Sequence, residues 1–183
     1  MKFSLRRALT GLWAIILLFC LALGFLVYSL FDQGVGAQLR QGQARLSAAT
    51  DDAARRYVEY LHRAETAPAL SDPQFRAELG MMATIALAPR QKVEGGYWSE
   101  RAGSLAYAFP THEGLTMKTD VPAAELSLIR QTIAASRSAQ GEVSRRFDAE
   151  DSSILVAARP LPGPPNDVSV WTMTRAALDV GKS

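Results

Sequence analysis

Thiol chemistry is almost missing from this chain. Its single cysteine, Cys20, lies inside an apolar run, and nothing after Phe31 can form a disulfide or offer a thiolate. Histidine is nearly as scarce, with only His62 and His112. A zinc site would therefore need both histidines, or one of them with several carboxylates. An excess of one charge is lacking too. The formal net charge is +2, which Lys2, Arg6 and Arg7 at the N-terminus account for, and the rest is nearly balanced. A balanced surface gives no electrostatic footprint for nucleic acid. No residue between Gly11 and Phe31 is charged.

That uncharged run is long enough, at about 1.5 Å per residue, to cross a hydrocarbon core of about 30 Å. It also outlasts the apolar core of about 7 to 15 residues in a signal peptide, which favours a retained anchor over cleavage near Val35 to Ala37. The cations before it and Asp32 after it place the N-terminus in the cytoplasm and the rest across the membrane. The expected organisation is a cytoplasmic N-terminus (1–10), a transmembrane helix (11–31), a juxtamembrane helix (32–66), a folded domain (67–175) and a tail (176–183).

From Ala37 to Ala64 the chain contains no proline, and Leu39, Leu46, Ala53 and Tyr60 recur every seven residues. This predicts a helix whose stripe either packs on the domain's own sheet or pairs with a second copy as a homodimer. Ser71-Asp72-Pro73 starts another helix, with Phe75, Leu79, Met82 and Ala86 on one side, and Pro89 ends it. The pattern then turns to short strands, VEGGYW and SLAYAF, and Gly95-Gly96 in the first suggests a bulge or a close backbone approach. Thr119-Asp120-Val121-Pro122 opens a third helix, capped by Asp120 and running to about Ser136, with Leu126, Ile129 and Ile133 buried. An antiparallel meander follows in Val143 to Phe147, Ser153 to Arg159 and Val168 to Thr174. Together these elements predict an α+β domain, a five-stranded antiparallel sheet with helices on one face.

The runs VEGGYW, YAFPTHEG, KTDVPAAE and VWTMTR, in that order across Val93 to Arg175, resemble the extracytoplasmic sensor half of bacterial transmembrane sensor histidine kinases, whose sensing domains have PAS-like (Cache-type) folds. The resemblance implies an input module at the inner membrane, single-pass here, with the domain in the periplasm. Such kinases continue into a second span, a phospho-accepting histidine helix and an ATP-binding domain, whereas this chain reaches Ser183 without them. Kinase activity therefore transfers to no residue here. The expectation is the sensor portion of a two-component system protein, with a membrane-tethered interaction domain as the alternative.

Catalytic signatures are missing as well. Gly181-Lys182-Ser183 ends like a phosphate loop, but Ala176 stands where that motif needs its first glycine. His112-Glu113 with Asp120 does not follow the H-E-x-x-H spacing of zinc enzymes. Ser99, Ser104 and Ser136 lack a nucleophile elbow, and Glu150-Asp151 reads as an acidic turn. No catalytic residue, metal site or cofactor is expected. A small-molecule site fits better, because such sites join an apolar floor to a few convergent polar groups. Trp98 and Tyr107, with Trp171 beside them, would form the floor, and Thr111, His112, Lys118 and Asp120 the polar rim. The competing reading makes the aromatics core residues and the rim a solvated loop.

Overall fold

A computed structural model describes residues 5–64, 66–90, 92–109, 123–148 and 152–177. The chain divides into two compact units, residues 1–40 and 41–183. A single helical element, α1 (Leu5–Arg63), contributes to both. In the first unit Leu9–Ser29, 21 residues, is long and apolar enough to cross a membrane, and its described side chains up to Tyr28 are exposed. This segment sits two residues earlier than the uncharged run suggests. Arg6 and Arg7 still precede it.

The second unit is α+β. After α1 come α2 (Pro73–Leu87), β1 (Val93–Ser99), β2 (Gly103–Ala108), α3 (Leu126–Ala139), β3 (Val143–Asp148), β4 (Ser152–Pro160) and β5 (Val168–Ala177). The five strands form one sheet in the order β2-β1-β5-β4-β3, and every pair is antiparallel. The meander of the last three strands is as expected, while β1 closes the sheet by pairing with β5 along its whole length.

Helices cover both faces of this sheet, not one. Along β5, Val168, Val170 and Thr172 point one way and Ser169, Trp171 and Met173 the other, and all six are buried. All seven residues of β1 are buried as well. Central strands hidden on both sides need two covering layers. The α1–α2 side receives the Thr172 hydroxyl, which meets Thr50 at 2.8 Å and the Leu46 carbonyl at 3.3 Å. On the same side the Tyr97 hydroxyl donates to the Ala53 carbonyl at 2.9 Å. The other side packs Trp98, Tyr107, Val156, Ala158, Trp171 and Met173 beneath Ile129 and Ile133 of α3.

The stripe on α1 thus finds its partner within a single chain. Leu46, Ala49, Thr50, Ala53 and Tyr57 are at most 3% exposed, and burying a residue such as Leu46 stabilises by about 1.5–3 kcal/mol. Two of the heptad positions, Leu46 and Ala53, are therefore spent on the domain's own sheet, and any pairing of two copies has to use other side chains. Polar clamps fix the helix further. Arg90 at the end of α2 reaches the Ala48 carbonyl at 3.1 Å and the Asp52 carboxylate at 3.4 Å, and also caps the Ala86 carbonyl. Arg159 of β4 pairs with Asp51 at 2.6 Å.

Local signals set most element ends. Asp72 accepts from the Gln74 N–H at 2.9 Å with Pro73 at the first helical position, the cap that the sequence predicts for α2. At α3 the reading runs long at its start: residues 123–125 form a turn and the helix begins at Leu126, while Asp120 lies outside the described residues. The helix ends at Gln140, which takes a left-handed conformation with φ 52°. In β1 the glycine pair makes the close backbone approach, and the irregularity falls just after it. A Cβ on Gly95 would strike the Trp171 carbonyl and one on Gly96 the Ala106 carbonyl, and the β1–β2 register shifts between Tyr97 and Trp98.

Candidate functional site

Of the six residues expected to line a ligand site, the structure describes Trp98 and Tyr107. Thr111, His112, Lys118 and Asp120 lie outside the described residues. Trp98 and Tyr107 share the α3-side core with Trp171 and are 6% and 7% exposed. Tyr107 stacks on Trp171 with ring centroids 5.8 Å apart and planes 11° from parallel. The Arg130 guanidinium of α3 lies over Trp98 at 5.0 Å from the ring centroid, a cation–π contact that covers the indole. The aromatic group expected as a floor is thus packed under a helix.

Beside Tyr107 sits a polar cluster that the sequence reading passed over. Glu94 of β1 is 2% exposed. It accepts from the Tyr107 hydroxyl across the β1–β2 pair and from Arg175 Nη1 of β5 at 2.8 Å. The same guanidinium reaches Glu125, just before α3, through Nη2 at 2.7 Å. One cation therefore serves two carboxylates, joining β1 and β5 to the start of α3. Burial, then hydrogen bonding to Glu94, pushes the Tyr107 phenol well above its ordinary range. Arg175 is held more firmly charged, chiefly by its bond to Glu125. The signal was present in outline: Glu94 is the one charge in the run VEGGYW, and Arg175 ends VWTMTR. Which strand would sit beside β1 was not readable locally.

This arrangement ties three strands to the start of α3. Each carboxylate in it is engaged by the Arg175 guanidinium. Among the described residues no group of three or more His, Cys, Asp or Glu is close enough to hold a metal ion. His62 is exposed on α1. A second cluster pins the turn into β5: Asp167 receives the Ser99 hydroxyl at 2.6 Å and Arg101 at 2.9 and 3.0 Å. The Arg101 hydrogen bonds above all hold the Asp167 carboxyl well below the usual range, against some opposing desolvation.

No protein-family model matches the chain, and no curated protein is similar enough to count as a relative.

Proposed function

We propose that this chain is the membrane-anchored signal-input portion of a two-component sensor histidine kinase, with a PAS/Cache-like domain in the periplasm and the N-terminus in the cytoplasm. The observation that carries the reading is the composition of α1. One helical element holds both the candidate span Leu9–Ser29 and a face, Leu46 to Tyr57, buried against the domain's sheet. A cue that changes the packing of the domain acts directly on that helix. Such a cue must bind two arrangements unequally, since equal binding shifts no population. The cations Lys2, Arg6 and Arg7 ahead of the span support the orientation.

The test has two arms. Alkaline phosphatase fused after Ser183 should be active in intact cells, and an inactive fusion overturns the topology. The full chain in lipid nanodiscs is then screened by thermal shift against small organic acids and apolar metabolites, where a binder should raise the midpoint. A library without a single shift overturns ligand sensing. It would favour a membrane-tethered domain that docks a protein, a reading that draws on the bare apolar residues Met81 and Ile85 of α2, 61% and 47% exposed.

A further inference from the structure

α2 turns an uncharged face to solvent. Its exposed residues after Pro73 are Gln74, Ala77, Met81 and Ile85, at three- and four-residue steps, and Ala88 continues the line just past its end. The two charges of the helix are half-buried and engaged. Arg76 donates to the Leu70 carbonyl at 2.9 Å, and Glu78 accepts from the Gln74 amide at 3.4 Å. Outside the candidate span, Met81 and Ile85 are the large apolar side chains that the described residues leave exposed. Apolar surface gathered in one place, rather than scattered, marks a contact surface.

Beside this line, between α2 and the last turns of α1, runs an open groove of about 490 Å³ whose apolar wall is Tyr60, Met81 and Met82. Its lining is electrically balanced, Arg56 and Arg63 against Glu59 and Glu78, so it favours no charged ligand. Arg56 is committed to Asp52 at 3.4 Å. Arg63 and Glu59 lie 3.7 Å apart and are 79% and 56% exposed, and a pair so open to water contributes little. The rim therefore offers one guanidinium and one carboxylate that exchange partners at small cost.

Size and symmetry decide what covers such a surface. α2 has 15 residues, about 22 Å of helix, and a face about 10 Å wide hides only a few hundred Å². That is well short of the roughly 800 Å² per partner of a stable interface. A soluble partner has to hold so small a patch unaided. A second copy anchored in the same bilayer does not, because tethering raises its effective concentration. A two-fold contact between identical copies also has to be complementary to itself. An uncharged line meets its own copy without stranding a charge, and Glu59 of one copy can face Arg63 of the other.

We propose that the outer face of α2 and this groove form the contact between two anchored copies of the chain, with Met81 and Ile85 at its centre and Glu59 and Arg63 exchanged across it. The contact uses side chains that the sheet does not bury. It rests on the anchored topology proposed above and on no particular cue.

The experiment uses the full chain in lipid vesicles, with Cys20→Ala removing the native thiol and Ile85→Cys placing one at the contact. Mild oxidation should give a disulfide-linked dimer, whereas Ala48→Cys on the exposed side of α1 should give little. Met81→Glu in the Ile85→Cys background sets like charges at the centre and should lower the yield about tenfold or more. Its melting midpoint should stay unchanged, which separates a lost contact from a lost fold. Glu59→Arg and Arg63→Glu, each with Ile85→Cys, should cross-link poorly alone and well when mixed in the same vesicles, because only the mixed pair sets opposite charges across the contact. Equal yields from single and mixed variants overturn the exchange. Dimers linked through Ala48→Cys and not Ile85→Cys move the contact to α1 and overturn this surface. In cell membranes, Ile85→Cys linked only to a different protein overturns the second copy as occupant. No dimer at any protein density, with an active phosphatase fusion, overturns the contact and leaves the topology standing; an inactive fusion removes the tether and overturns both.

Discussion

Thr50 of α1 and Thr172 of β5 meet hydroxyl to hydroxyl at 2.8 Å with both residues closed to solvent. Thr172 also reaches the Leu46 carbonyl, so a short polar chain crosses an otherwise apolar helix–sheet seam. A hydroxyl buried there is stable only while its neighbour answers it. Thr172→Val should cost about 1–3 kcal/mol, because it leaves the Thr50 hydroxyl unsatisfied, and Thr50→Val should cost less, because Thr172 keeps the Leu46 carbonyl. The double variant should cost less than the sum of the two. Chemical denaturation of the four proteins in a cycle measures the coupling, and simple additivity would show that the two hydroxyls act independently.

Gly96 is required by the close approach of β1 to β2. A side chain there meets the Ala106 backbone, which cannot step aside without breaking the pairing of Gly96 with Tyr107. Gly96→Ala should destabilise by about 1–3 kcal/mol or more. Gly141→Ala is the matched control, since its Cβ would find its nearest atom at 3.8 Å. Thermal midpoints that fall equally for both would contradict the close-approach account.

The double glycine shows what the sequence could and could not reveal. VEGGYW announced an unusual strand, and Asp72-Pro73 announced the start of α2, because caps, prolines and glycines act through neighbouring backbone. The layer order was not local. Trp171 and Thr172 are adjacent in sequence yet face different helices, and a central strand polar enough to carry Thr172 and Ser169 looks one-sided when read alone. The stripe of α1 was visible, but whether it served a sheet or a second copy depended on β5 lying more than 100 positions away. The Glu94 cluster was hidden for the same reason: its members come from β1, β2, β5 and the turn before α3.

Acid should weaken the turn into β5 through Asp167. Its folded-state pKa lies below the ordinary 3.8 because Arg101, Ser99 and the Arg101 N–H all favour the carboxylate. The stabilisation is therefore fully present above about pH 4 and is lost as the pH falls toward the folded value. Asp167→Asn should cost about 1 kcal/mol at neutral pH, reduced by the exposure of Arg101. The same substitution should flatten the decline in unfolding free energy below pH 4. A variant whose acid limb matches the parent would assign that limb to other carboxylates.

Arg175 and Glu94 make the most consequential pair, because Glu94 is buried while Arg175 keeps contact with solvent. Removing the cation strands a carboxylate in the core, at a cost of about 1–3 kcal/mol. This is less than for a fully buried pair, because Arg175 is 44% exposed and Tyr107 still donates to Glu94. Arg175→Met should fall in that range, whereas Arg175→Lys should keep part of the stability by retaining one charge for Glu94 while losing the fork to Glu125. Glu94→Gln in the Arg175→Met background removes the stranded charge and leaves an amide that can still accept from the Tyr107 hydroxyl, so it should recover a large part of the loss. Tyr107 supplies an independent readout. Its phenol is held protonated by burial and then by Glu94, so exchanging the carboxylate for an amide should bring its ionisation to lower pH in an alkaline absorbance titration. An unmoved titration would show that Glu94 does not act on Tyr107 despite their hydrogen bond.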